Sequence, residues 1–249
     1  MTTKVAVVTG ANKGLGFAIV KGLCQKYQGI VYLTARNEKL GNEAVKKLNE
    51  LGLKPQFYVL DVSVKESVEN FARFLKMKYG GLDVLVNNAG ILEWDQVYPT
   101  YEAAKRNIDV NYRKKWIKML QSKDLTVEQV NNFVEEYLNS VKNGTFDKND
   151  FADDGKHAEH RVSKIGVVAL TILFQKKYQN ISINALHPGH VKTDMAQGGG
   201  ETDPEEAAKS VLYLIFEASP NLKGTFMWHD RKLVDWYDAD GDYFLQGLW

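Results

Sequence analysis

A chain of 249 residues, 44% of them hydrophobic, can bury a full core, and an α/β sheet of this length commonly forms one domain, so a single domain over 1–249 is expected. Its 32 basic and 31 acidic residues leave a formal charge of +1, which gives no electrostatic reason to seek nucleic acid or an anionic membrane and favours a small neutral partner. One cysteine, Cys24, excludes an internal disulfide framework and a thiolate zinc cluster; with no secretory core and no bilayer-spanning apolar run, the expected compartment is the cytosol.

Through the first half, short apolar runs alternate with helix-periodic stretches, the pattern of βαβ units in a parallel sheet. Val5-Ala6-Val7-Val8 reads as a buried parallel strand, and after a glycine-rich turn Val20, Leu23, Cys24 and Tyr27 recur at helical spacing. Ile30-Val31-Tyr32-Leu33 is a second strand, followed by a helix lined by Ala44, Val45, Leu48 and Leu51 that Gly52 closes in a left-handed cap. Phe57-Tyr58-Val59-Leu60 is a third strand, and Val68, Phe71, Ala72 and Leu75 mark the next helix. Val84-Leu85-Val86 forms a fourth strand running into Asn87-Asn88-Ala89-Gly90. Beyond it a helix is expected from near Thr100 toward Asn111, after which Lys114 to Lys156 is charged and mostly helix-like, with no convincing strand. A helix carrying His160, Lys164, Val167 and Val168 follows, then a strand over Ile181-Ser182-Ile183-Asn184-Ala185-Leu186 that leads into His187-Pro188-Gly189. Thr202-Asp203-Pro204-Glu205 starts a helix with a capping Thr, an early Pro and a Glu three residues on, and Gly224-Thr225-Phe226-Met227-Trp228 is the last predicted strand.

Gly10, Gly14 and Gly16 lie directly between the first strand and the first helix. Glycines there let the chain turn tightly and bring backbone N–H groups against a pyrophosphate at a helix N-terminus. An ordinary glycine-rich turn is the bland reading; the strand-to-helix setting argues against it. Sites for NAD usually place Asp or Glu about 20 residues later, at the end of the second strand, to hold the ribose 2′-hydroxyl. Here that strand ends Thr34-Ala35-Arg36. With the acid absent, and Arg36 and Lys13 placed to meet a 2′-phosphate through charge-assisted hydrogen bonds, NADPH is expected over NADH, unless the two are simply solvated surface cations. Asp61, at the end of the third strand, is placed to accept from an adenine amino group.

Taken together, Thr9-Gly10-x-x-x-Gly14-x-Gly16, Asn87-Asn88-Ala89-Gly90, Asn111 and His187-Pro188-Gly189-x-x-x-Thr193 resemble the short-chain dehydrogenase/reductase family over nearly the whole chain. Within it, Ala11-Asn12-Lys13-Gly14, Leu33-Thr34-Ala35-Arg36, Val191-Lys192-Thr193-Asp194-Met195 and the long helical insertion before the Lys164 helix resemble the monomeric carbonyl reductases. The resemblance implies a Rossmann-type, doubly wound parallel sheet flanked by helices, NADPH as cofactor, a small carbonyl substrate (aldehyde, ketone or quinone) and a monomer, since in those relatives the insertion covers the face used elsewhere for tetramers. It implies a cofactor site of Gly10, Asn12, Lys13, Gly14, Leu15, Gly16, Arg36, Asp61, Val62, Asn88, Ala89, Gly90, Lys164, Pro188, Gly189, Val191 and Thr193. Asn88 and Gly90 would shape the floor of the adenosine and ribose site, Asn111 would hold a water in a proton relay, and Lys164 would grip the nicotinamide ribose. Pro188, Gly189 and Thr193 would seat the nicotinamide, leaving the reducing chemistry to NADPH and orientation to the protein.

Two departures from the family pattern bear on activity. Four residues before the lysine the family places a tyrosine that gives a proton to the substrate oxygen; here the segment reads His160-Arg161-Val162-Ser163-Lys164. An imidazole can donate near neutral pH, but beside a lysine cation its charged form is disfavoured and its ring ends short of a phenol oxygen, so a severe rate loss is expected, against the readings of His160 as a working acid or an outward-facing residue. Second, Asn111-Tyr112-Arg113 runs directly into Lys114-Lys115-Trp116, a shortfall of roughly 30 residues, about one helix-plus-strand unit. The lost unit is a central strand and the serine at its end; neither Ser122 nor Ser140 follows a strand pattern, and Ser163 reads as a packing residue. Losing that strand removes ladder partners and buried area comparable with a domain's net stability. A non-enzymatic, NADP(H)-binding role is therefore the rival to carbonyl reduction.

His157 and His160 stand three apart on a helix, but no third ligand has suitable spacing, so no metal is expected. In the aromatic tail, Trp236 is the one residue read as a substrate-pocket wall, with core packing as the alternative.

Overall fold

The computed structural model describes residues 3–90, 116, 119–145, 158–197 and 199–237. The elements run β1 (Val5–Val8), α1 (Gly14–Lys26), β2 (Ile30–Ala35), α2 (Glu38–Glu50), β3 (Gln56–Val59), α3 (Lys65–Tyr79) and β4 (Val84–Val86). They continue with α4 (Val127–Lys142), α5 (Ala158–Lys177), β5 (Ala185–Leu186), α6 (Pro204–Phe216), β6 (Phe226–Met227) and β7 (Leu233–Val234). The chain divides into two compact units, residues 1–91 with 188–218 and residues 92–187 with 219–249.

The first unit is a parallel sheet of order β3-β2-β1-β4 with flanking helices. A parallel strand buried on both faces needs apolar residues throughout, and Val5, Ala6, Val7 and Val8 are all fully buried. Under the sheet, Tyr32, Leu60, Phe71 and Leu75 pack together, with Tyr32 and Phe71 edge to face at 5.9 Å. Burying Phe71 and Leu75 stabilises this contact by about 1.5–3 kcal/mol each. Gly52 takes φ +77 just past α2 and Gly80 φ +85 just past α3, so both helices end in the left-handed turn that glycine adopts most easily.

In the second unit, Thr126 and Gln129 form a reciprocal capping box at the start of α4, the helix that carries the expected insertion. Its buried stripe of Val130, Phe133 and Tyr137 joins Val162, Val168, Ala169 and Ile172 of α5 in one apolar cluster with Trp116, Leu120 and Trp236. β5 pairs parallel with β6, and β6 antiparallel with β7. No described helix is long and apolar enough to cross a membrane.

Several expectations need correction. The strand expected over Ile181–Leu186 shrinks to Ala185–Leu186, because side chains take the preceding backbone and polar groups: Gln175 accepts from Ile183 N and donates to Ile181 O, and Asn184 Nδ2 donates to Leu222 O. The Gly224–Trp228 strand likewise contracts to Phe226–Met227, and β7 was not expected; a turn with Arg231 at φ +70 folds the chain back so that Trp228 N donates to Lys232 O. At α6 the cap is Asp203, not Thr202, with Pro204 occupying the first turn. Leu51 is exposed as the C-cap just past α2, and Val68 and Ala72 face outward on α3, whose inward stripe is Phe71, Phe74 and Leu75.

Described residues 119–145 are helix, turn and coil with no strand, in line with the helical reading of that stretch. The expected Thr100–Asn111 helix, Asn111 itself, the junction at Lys114 and His157 lie outside the described residues.

Candidate functional site

Parallel register puts the carboxyl ends of four strands along one edge. Val8 stands opposite Leu33 and Val86, and Ala35 opposite Val59, so the segments that follow (9–16, 36–37, 87–90 and 60–62) emerge side by side. Between β1 and β4 the strand order reverses, and at such switch points open α/β sheets bind ligands.

The loop after β1 is fastened to the loop after β4. Thr9 Oγ1 accepts from Asn88 N and Ala89 N, both at 3.0 Å, while Asn88 Nδ2 donates to Thr9 O at 2.9 Å and Gly10 O at 3.1 Å. Gly10 takes φ +62, and a Cβ there would stand 2.8 Å from Ala89 Cα; one at Gly16 would stand 2.5 Å from Asn88 Nδ2. Both contacts are closer than a side chain tolerates, so packing requires glycine at both positions, and at Gly10 the backbone conformation requires it as well. Asn12 on this loop and Leu15 in the first turn of α1 are half-buried. α1 then begins with no side chain capping it and no acidic residue in its first turn, which leaves its N-terminal N–H groups and the positive end of the helix dipole suited to an anion.

Of the two cations singled out from the sequence, Lys13 pairs with a carboxylate and Arg36 acts on one through its charge alone. Lys13 Nζ lies 2.7 Å from Asp194 Oδ2, and this ammonium holds the Asp194 carboxyl below the usual carboxylate range. Arg36 is exposed at the end of β2, where its charge helps lower the Asp61 carboxyl; the larger cause is Ser63, whose hydroxyl and backbone N–H donate to Asp61 Oδ1 at 2.6 and 2.9 Å. Val62 beside it is exposed. In the same unit, Pro188, Gly189 at φ +79, Val191 and Thr193 form a segment held by a parallel bridge between Val191 and Thr202. Thr193 reaches the glycine loop, since a Cβ on Gly14 would lie 3.1 Å from its Cγ2. Glycine loop, Asn88, Ala89, Gly90, Arg36, Asp61, Val62 and the 188–193 segment therefore all belong to the first unit.

His160 and Lys164 belong to the second, one turn apart on α5. Lys164 is an exposed residue, yet partial desolvation lowers its ammonium from the ordinary lysine range. Ser163 donates its hydroxyl to His160 O at 2.7 Å within the helix and is exposed, so it is not the packing residue expected. His187, at the end of β5, stacks on Trp228 with ring centroids 4.2 Å apart. Burial first, then the charges of His229, Lys164 and His160, push its imidazole down to about 4, so it is neutral near pH 7. Ser140 Oγ donates to Tyr137 O on α4, and Ser122 Oγ accepts from Asp124 N, so neither serine ends a strand. Trp236 is 5% exposed in the apolar cluster, with Nε1 donating to Leu120 O at 3.2 Å; its contacts are those of a core residue, the alternative weighed against a pocket wall. Among the described residues no group of three or more His, Cys, Asp or Glu is placed to hold a metal.

Residues 4–117 match the family described as short chain dehydrogenase. Carbonyl reductase [NADPH] 1 of Sus scrofa is 33% identical over 278 aligned positions, covering 94% of this chain and 94% of that protein. The chain belongs to the short-chain dehydrogenase family. Carbonyl reductase [NADPH] 3 of Rattus norvegicus is 35% identical, covering 85% of this chain and 90% of its own length. Of solved structures, salutaridine reductase from Papaver somniferum is similar at a TM-score of 0.76 and 25% identity, covering 90% of this chain and 99% of that one.

In this short-chain dehydrogenase, sequence reasoning gave no role to Thr9, His187 or Asp194. Thr9 had a usable signal, a hydroxyl residue directly before the first glycine; a buried hydroxyl there must find partners, and the β4 loop offers two donors. Asp194 and His187 had none, because what each faces is a residue far away in the chain.

Proposed function

We propose that the chain binds NADP(H) along the carboxyl edge of its parallel sheet and reduces small carbonyl compounds, aldehydes, ketones or quinones, with turnover slowed by the change at His160. The observation that carries this reading is the glycine cradle. A backbone packed too closely for any Cβ at Gly10 and Gly16, opening onto an uncapped helix N-terminus, fits a pyrophosphate. Arg36 in place of an acid at the end of β2, with Lys13 at the start of α1, suits a 2′-phosphate rather than a free ribose hydroxyl, and the relatives named as NADPH carbonyl reductases support that choice.

Bound at this edge, NADPH would supply the hydride. The chain's own residues bind and orient. Backbone N–H groups of Gly14, Leu15 and Gly16 with Asn12 hold the pyrophosphate, while Arg36 and Lys13 hold the 2′-phosphate. Asp61 and Val62 flank the adenine, and Asn88, Ala89 and Gly90 form the floor beneath the ribose. Pro188, Gly189, Val191 and Thr193 seat the nicotinamide, Lys164 its ribose, and Asn111 a relay water, by resemblance to the family. His160 is the proton donor in this scheme, giving a ring-nitrogen proton to the substrate oxygen as it gains charge. We place the protein in the cytosol as a monomer.

A second reading, NADP(H) binding without turnover, is favoured by two observations. Histidine stands where the family's acid is a tyrosine, and the alignment with the pig reductase spans 278 positions against a chain of 249 residues. That relative therefore carries positions with no residue opposite them. One experiment separates the readings: follow NADPH absorbance with a reactive dicarbonyl or quinone while measuring NADPH binding by fluorescence. Consumption supports the reductase, binding alone the second reading, and no binding by folded protein refutes both.

A further inference from the structure

We propose that Asp194 is a specificity-determining residue that competes with the cofactor's 2′-phosphate for the ammonium of Lys13. The inference rests on the NADP(H) reading above and goes beyond it, since it concerns a carboxylate that takes no part in holding the nucleotide.

Lys13 is the N-cap residue of α1, and its side chain makes no capping bond to the helix. Its ammonium instead lies 2.7 Å from Asp194 Oδ2. Asp194 does not depend on that pair for its position. The preceding residues are fixed by the Val191–Thr202 bridge, by Lys192 N donating to Thr202 O at 2.8 Å, and by the Lys192–Asp203 ion pair at 3.3 Å. Thr193 sits against Gly14. A short 3-10 turn, Asp194–Ala196, then closes with Gln197 at φ +48. The backbone that carries this carboxylate is thus held beside the glycine loop by its own segment, which keeps the acceptor within reach of Lys13.

Lys13 therefore has two anionic partners to choose between. A 2′-phosphate carries about −1.5 to −2 charges and three acceptor oxygens, enough to draw the ammonium from a single carboxylate, whereas the 2′-hydroxyl of NADH offers no charge. Asp194 weakens the dinucleotide that needs Lys13 and leaves the other untouched, so it narrows the NADPH-to-NADH preference that Lys13 and Arg36 create. Side-chain exposures of 64% for Lys13 and 76% for Asp194 keep the competing pair weak and sensitive to salt, which bounds the effect to a small factor.

The test is a double-mutant cycle on the full chain at low ionic strength, with NADPH and NADH dissociation constants from fluorescence or calorimetry for wild type, Asp194→Asn, Lys13→Met and the double variant. Asp194→Ser serves as a second replacement of different shape. The expected result is NADPH binding tightened about two- to fivefold by either Asp194 change, NADH binding unchanged, and no gain when Lys13 is already Met. A gain that survives in the Lys13→Met background would mean direct repulsion of the phosphate and overturns the proposal, as does an unaltered NADPH-to-NADH ratio in a wild type that prefers NADPH. A wild type that binds the two dinucleotides equally, or neither, removes the cofactor reading and this inference with it.

Discussion

Replacing Gly10 by alanine tests the cradle at its tightest point. The residue holds φ +62, where an L side chain costs about 1–2 kcal/mol, and its new Cβ would stand 2.8 Å from Ala89 Cα and 3.0 Å from Ala89 Cβ. Backbone on one side and a short side chain on the other cannot swing away, so the β4 loop must shift, an overpacking cost of about 1–3 kcal/mol. The sum, about 2–5 kcal/mol, is a large fraction of a domain's net stability. Gly52→Ala supplies the control, because Gly52 has a similar φ of +77 with nothing within 4 Å of the added Cβ, and so bears the conformational term alone. Urea unfolding of both variants should show Gly10→Ala the less stable by about 1–3 kcal/mol, and NADPH titration should show binding weakened only in Gly10→Ala. Equal stabilities and equal NADPH affinities would refute the packing argument, and with it the claim that the β1 and β4 loops meet closely enough to form the cradle.

Arg36→Ala should weaken NADPH binding about tenfold or more while leaving NADH within a factor of about two, measured by calorimetry; a parallel loss for both would mean that Arg36 does not meet the 2′-phosphate. Under the second reading, in which the serine segment is lost, His160→Tyr should not bring turnover to the level of intact reductases, and a full rescue in a quinone reduction assay would show that the histidine alone was the defect. Stability should fall as pH drops from about 6.5 to about 4 on account of His187, whose imidazole is pushed down to about 4 from an ordinary 6.5. Over that window the unfolded chain takes up a proton that the folded chain refuses, and below it both are protonated and the dependence levels off. Urea midpoints measured across that range should flatten in His187→Asn; an unchanged slope would show that His187 titrates normally in the folded protein.

Much of this architecture was readable because its causes are local. Val5–Val8 is apolar at every position, which only a strand buried on both faces explains, and the glycines that follow mark the strand-to-helix turn without reference to anything distant. Errors arose where tertiary contacts overrode local pattern. Ile181–Asn184 alternates like a strand, yet Gln175 and Leu222 take its polar groups, and β7 is too short and too close to a charged turn to register as a strand. On α3 the expected Phe71 and Leu75 are buried, whereas Val68 and Ala72, which fit helical spacing equally well, face outward because the aromatic cluster beneath the sheet takes Phe74 instead. At the site, residue types and positions were legible, whereas ion-pair choices were not, since Lys13 and Asp194 lie far apart in the chain.

One hydroxyl on Thr9 accepts two backbone N–H groups of the opposing loop, and Asn88 returns two hydrogen bonds to the Thr9 and Gly10 carbonyls that follow β1. Two segments joined in this way cannot open independently, so their entropy of ordering is settled during folding rather than at encounter with a nucleotide. Association at that rim should accordingly be one collisional step, its observed rate rising linearly with dinucleotide concentration and free of the plateau that a slow rearrangement would impose.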